Sequence, residues 1–215
     1  MLLLSIILQS FALLTGVFFF NKIKPPVYRI FIIVLLLSTA NEIFIFNNGP
    51  KLYDINKQVL YNSFFIVHSI VTFIIFFNCL SLKRRKMYTI FYGLSSILAL
   101  VFLYLNGMRI FNPFYLSVVS VQIMTGASIY LYQVYKKEEY HQLKTDAIFW
   151  YSVGSIIVFF FFFSFLNATH NKAFLKGETG KIIYQILNTI GNLIYYSLII
   201  ISFLCSNISQ KRSGT

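Results

Sequence analysis

Apolar runs of bilayer length, repeated along nearly the whole chain, restrict what this sequence can fold into more than any other feature. Seven can be marked, at about residues 2–20, 27–46, 59–80, 87–105, 114–135, 147–166 and 182–205. At 1.5 Å rise per residue each would reach roughly 28–36 Å as a helix, which matches a hydrocarbon core of ~30 Å. Backbone N–H and C=O groups find no water in that core, so a spanning segment must be a helix or part of a closed barrel. Barrel strands would alternate polar and apolar residues, and these runs do not. The expected fold is therefore all-α: a polytopic integral membrane protein with seven transmembrane helices in one bundle over residues 1–206, and residues 207–215 as a cytoplasmic tail.

Composition leads to the same class. The chain is 58% hydrophobic and 11% charged, against about 45–50% and 25% for soluble domains. Six Asp and Glu among 215 residues cannot coat a water-soluble surface. The net charge of +12 does not point to nucleic acid, because the basic residues lie in the linkers between apolar runs. Lys22, Lys24, Arg29, Lys83, Arg84, Arg85, Lys86, Lys136, Lys137, Lys144, Lys211 and Arg212 fall on one side. Lys51, Lys57, Arg109, Lys172, Lys176 and Lys181 fall on the other. The positive-inside rule then puts the N-terminus outside and the C-terminus in the cytoplasm. An odd number of spans requires the same.

The linkers carry turn chemistry. "NKIKPP" closes the first run with two prolines, and Pro113 of "NGMRIFNP" is well placed to open a helix. "KRRK", Lys83–Arg84–Arg85–Lys86, is expected as a loop that anchors topology and contacts anionic lipid. The first run lacks a positive n-region and an A-x-A site, so it is read as an uncleaved span. Cys79 and Cys205 fall near the inner face, where a structural disulfide is not expected.

Ionisable residues inside spans are costly and usually face the bundle interior. Glu42 in the second run and His68 in the third are the two clear cases. On straight helices Glu42 falls about 7 Å outside the midplane and His68 close to it, so the two can lie at similar depth and share a proton or an ion pair. In the seventh run Gln185, Asn188 and Asn192 are spaced by three and four residues and share a face. Gln122, with Ser117 and Ser120, adds polarity to the fifth run, and Ser38, Thr39 and Asn41 flank Glu42. Glu42, His68, Gln122, Gln185, Asn188 and Asn192 are thus the candidates for a polar cluster in the outer half. Two readings stay open: a ligand pocket or relay, or interhelical hydrogen bonds that only hold the bundle together. The inner half is expected to be packed by Leu, Ile, Val and Phe. Tyr28, Tyr61, Tyr88, Tyr104, Tyr115, Tyr135 and Tyr184 lie near span ends, as interfacial belts do.

Several classes are excluded by what is missing. The last run has no Lys for a retinal Schiff base, and one intramembrane His does not make a haem site. There is no H-E-x-x-H, P-loop, G-x-S-x-G or G-x-G-x-x-G motif. No catalytic residue, cofactor or metal is expected.

The end of the sixth run, "FWYSVGSIIVFFFFFSF", and the seventh, "ILNTIGNLIYYSLII", resemble seven-span membrane proteins of Bacteroidota. Some of these are similar to the membrane halves of sensor histidine kinases. The resemblance implies a sensor-like seven-helix bundle with no defined ligand. No kinase output domain follows the last run, so a signal would pass to a separate membrane or cytoplasmic partner. The expectation is a receptor-like or accessory protein of a bacterial inner membrane, without enzymatic activity. The alternatives are a small transporter or channel subunit and a lipid-modifying membrane enzyme.

Overall fold

A computed structural model describes residues 2–48, 54–109, 112–136, 143, 145–170 and 178–212. Seven α-helices follow in chain order: α1 (Leu2–Phe18), α2 (Phe31–Asn48), α3 (Asp54–Cys79), α4 (Leu82–Asn106), α5 (Pro113–Lys136), α6 (Ala147–His170) and α7 (Glu178–Arg212). Two short 3-10 turns, Phe20–Lys22 and Pro26–Ile30, join α1 to α2. Among the described residues there is no strand. Six helices, α2 to α7, are long and apolar enough to cross a membrane; α1 is apolar but shorter.

The helix boundaries have local causes. Asn112 caps α5: its Oδ1 accepts the Tyr115 N–H at 3.0 Å, and Pro113 takes the first helical position, where no N–H is needed. Asp146 caps α6, with Oδ1 accepting from the Ile148 and Phe149 N–H groups at 2.9 and 3.3 Å. Its Oδ2 accepts the Tyr130 hydroxyl at 2.6 Å, which ties the cap to α5. Gly107, at φ +75°, ends α4 in a conformation that side chains resist.

Two boundaries differ from the sequence expectation. "KRRK" is not a loop: α4 starts at Leu82, and the four basic residues form its first turns. Basic residues oppose the helix dipole there, but the tight turn at Leu80–Ser81 is held from outside. Gln133 of α5 accepts the Ser81 N–H at 2.8 Å and donates to the Cys79 carbonyl at 3.1 Å. At the far end, α7 continues past the last apolar run to Arg212. "NISQKR" is polar but compatible with a helix, and Lys211 and Arg212 favour its C-terminus.

Helix packing closes a ring in the order α1, α2, α3, α5, α6, α7 and back to α1. The α5–α6 and α6–α7 pairs pack most extensively. Helix α4 stands outside the ring against α5 and α3, and it is the least buried of the six long helices. Its outward face carries Ile90, Leu94, Ile97, Val101 and Leu105, all strongly exposed. Apolar surface of that extent matches hydrocarbon and not water.

The ring has two ends, one where α1 runs into α2 and one where α2 runs into α3. Near the α1–α2 end the interior is filled by aromatics. Tyr28, Phe31, Phe76, Tyr151 and Phe203 are each 0% exposed. Phe31 lies 4.8 Å from Tyr151 and 5.7 Å from Tyr28, ring centre to centre; Tyr28 lies 5.3 Å from Phe203. The inner packing thus draws on tyrosine as well as aliphatics and Phe. Tyr28, Tyr88 and Tyr115 do not form an interfacial belt: all three are buried. Their hydroxyls allow it where partners exist, as for Tyr28 with Ser202 (2.9 Å) and Tyr115 with the Asn62 carbonyl (3.3 Å). Tyr104 and Tyr135 do lie on the outside.

Candidate functional site

Inside the ring, α2 packs on α1 and α3 while α7 packs on α6 and α1. The space left between α2, α3, α6 and α7 is a cavity of about 340 Å³, at the lower end of the ~300–1,000 Å³ range of small-molecule sites. Its walls are largely aromatic: Phe31 from α2, Tyr61, Phe64 and Phe65 from α3, Phe159, Phe161 and Phe162 from α6, and Tyr195 and Tyr196 from α7. Gly191 opens the α7 wall. A Cβ there would meet nothing nearer than Val158 at 3.6 Å.

The polar groups of the cavity occupy two levels. The upper one, toward the α2–α3 end, holds Asn41, Glu42 and Ser38 of α2, Gln9 of α1, Gln58 of α3, and Asn192 and Tyr196 of α7. Ser38 Oγ donates to Gln9 Oε1 at 3.4 Å and lies 3.3 Å from the Tyr196 hydroxyl, while Gln9 Nε2 donates to Ser5 at 3.2 Å. These bonds stitch α1, α2 and α7 together beside Glu42. Glu42 itself keeps one buried carboxylate oxygen, Oε2, with no hydrogen-bond partner.

The lower level is His68. Its ring sits among Phe31, Phe64 and Phe159, at 5.9, 5.5 and 5.4 Å between ring centres. Its Nε2 lies 3.3 Å from the Tyr195 hydroxyl, and its buried Nδ1 has no partner. The Phe31 contact bounds its depth. Phe31 and Glu42 are eleven residues apart on one helix, about 16 Å of rise. His68 also packs on Phe159 and meets the Tyr195 hydroxyl, so it lies above Phe31 and is deeper than Glu42 by less than that rise; among the described residues no ion pair or hydrogen bond joins the two. Straight-helix counting placed Glu42 farther out than His68 but could not supply the contacts that keep the two apart.

The other candidates divide. Asn192 lines the cavity. The side chains of Gln185 and Asn188 lie outside the described residues. Gln122 is buried but away from the cavity, in a separate polar knot. Its Oε1 accepts from Ser69 at 2.9 Å, and its Nε2 donates to Ser95 and Ser96 at 2.9 and 3.0 Å. The Tyr92 hydroxyl completes the knot at 3.0 Å from Ser69. This knot joins α3, α4 and α5, so Gln122 holds helices together. Gln9 was missed, although it is the sole amide in the first apolar run and that isolation was a usable signal.

At the opposite end of the bundle, Lys83 and Lys86 are exposed. Arg84 lies over Tyr132 at 5.2 Å, and Arg85 lies over Phe77 at 4.7 Å while donating to the Leu80 carbonyl at 3.3 Å. Among the described residues, no three His, Cys, Asp or Glu side chains come together as a metal-ligand group.

Compared with known proteins, the chain matches no family model, no curated protein and no solved structure.

Proposed function

We propose that this is a receptor-like integral membrane protein that binds a small ligand in the cavity and passes the effect to a separate protein partner. In this reading α1 also crosses the bilayer, since 17 residues lie at the short limit of about 17–25 for a span. With seven spans, the N-terminus and the Glu42 end of the cavity face outward and the basic end faces the cytoplasm, consistent with the Lys and Arg distribution. The membrane would be a bacterial inner membrane. Lys83 and Lys86 are then the free cations for anionic lipid, whereas Arg84 and Arg85 are engaged with aromatic rings.

The observation that carries the reading is the cavity's floor. Below His68 the interior is closed by Phe31, Tyr151, Tyr28 and Phe203, all fully buried. A dead-ended pocket supports binding, and a transporter or channel subunit would need a polar path through that floor. A lipid-modifying enzyme would need a convergent acid, base or metal group, and among the described residues no hydrogen bond joins Glu42 and His68, whose Oε2 and Nδ1 both lack a partner.

Gly191→Leu tests this. The new side chain enters the cavity without a clash at Cβ. In lipid nanodiscs the variant should melt within a few degrees of wild type but lose the stabilisation that small-molecule binders give wild type. Binders that stabilise both proteins equally would remove the cavity from the reading. Accumulation of such a binder inside proteoliposomes would replace the receptor reading with transport.

A further inference from the structure

We infer that the cavity selects an organic cation: a primary ammonium group carried on an apolar, preferably aromatic, body. The inference rests on the cavity being a ligand site and adds the chemical class.

Charge comes first. Among the described residues lining the cavity, Glu42 is the one acid, and no Lys or Arg accompanies it, although the chain carries 18 Lys and Arg against six acids. The acid is not spent on a structural bond through Oε2, which is buried without a partner. Its neighbours Ser38, Gln9 and Tyr196 bond to one another instead. A buried carboxylate oxygen left without a donor is costly, and an ammonium supplies both the charge and the hydrogen. Among the described lining residues, an anionic ligand would meet Glu42 with no cation to offset it.

The walls then choose the body. Below the acid, aromatic rings line the way to Phe64 and Phe159, and their faces attract cations and pack flat apolar groups. The depth from Glu42 to Phe31, about 16 Å along α2, leaves the body room to lie inward while the ammonium stays beside Glu42. A metal ion does not fit this lining, since hard cations require several oxygen ligands.

The test uses three probes that share a phenylethyl body on the full-length protein in nanodiscs: 2-phenylethylammonium, neutral propylbenzene and anionic 3-phenylpropanoate. Binding is read by saturable thermal stabilisation and by calorimetry. The amine should bind at least about tenfold tighter than either other probe, and Glu42→Gln should remove that advantage, as expected for loss of a charge-assisted hydrogen bond. Gly191→Leu should abolish binding of the amine. If Glu42→Gln does not fold, the amine-to-propylbenzene comparison on wild type decides alone. Equal or tighter binding of propylbenzene or 3-phenylpropanoate, lost in Gly191→Leu, would overturn the cation and leave the ligand site standing. Binding by none of the three would overturn both.

Discussion

Gly126 sets how closely α5 approaches α3 and α4. A Cβ there would lie 2.6 Å from Phe76 Cδ2 and 2.6 Å from the Tyr88 hydroxyl oxygen, and both rings are fully buried. Overpacking of this kind costs ~1–3 kcal/mol, more than the roughly 0.8–1.0 kcal/mol that Ala gains over Gly in a helix. Gly126→Ala should therefore lower the melting temperature in detergent, and Gly126→Val should lower it further. Gly93 on α4 is the control, because a Cβ there meets nothing within 4 Å; Gly93→Ala should leave stability unchanged or raise it. Residues of this kind were only partly legible in the sequence. Glu42 and His68 stood out because charge and imidazole are rare in apolar runs. Tyr28, Tyr88 and Tyr115 were misread because a tyrosine near a span end suits the interface and a packed, hydrogen-bonded interior equally well.

At the scale of single helices, α4 depends on polar contacts. Apolar packing gives it little preference over lipid, since hydrocarbon solvates its Leu and Ile residues as well as a protein surface does. The knot around Gln122 gives it a specific seat. Gln122→Leu keeps the volume similar but leaves Ser69, Ser95 and Ser96 without that partner. Contacts of this type contribute about 0.6–2 kcal/mol each in membrane bundles. The variant should raise hydrogen exchange in α4 well above that in α6, and equal exchange in both would argue against this seat. Helix existence was legible throughout, because apolar length alone decides it. Helix ends were less so: the start of α4 is fixed by Gln133, some fifty residues downstream, which no local pattern contains.

For the whole molecule, the ring of six helices with α4 outside was not legible. In a soluble protein the apolar face of a helix marks the core, but here lipid-facing and core-facing residues are both apolar. Orientation is a separate question, with its own measurement. In a background lacking Cys79 and Cys205, a cysteine at Lys86 should be shielded from an impermeant thiol reagent in intact cells, and one at Arg109 should react. The reverse pattern would invert the bundle and turn the Glu42 end of the cavity to the cytoplasm. The Gln133 clamp bears on how the bundle is made. The ribosome completes α3, the Leu80–Ser81 turn and α4 before residue 133 exists. Until α5 arrives, the Ser81 N–H and Cys79 C=O have no partner from that side chain and must rely on water at the membrane surface. The α3–α4 hairpin is therefore made before its turn is clamped, and the turn gains its side-chain partner only when a later helix docks.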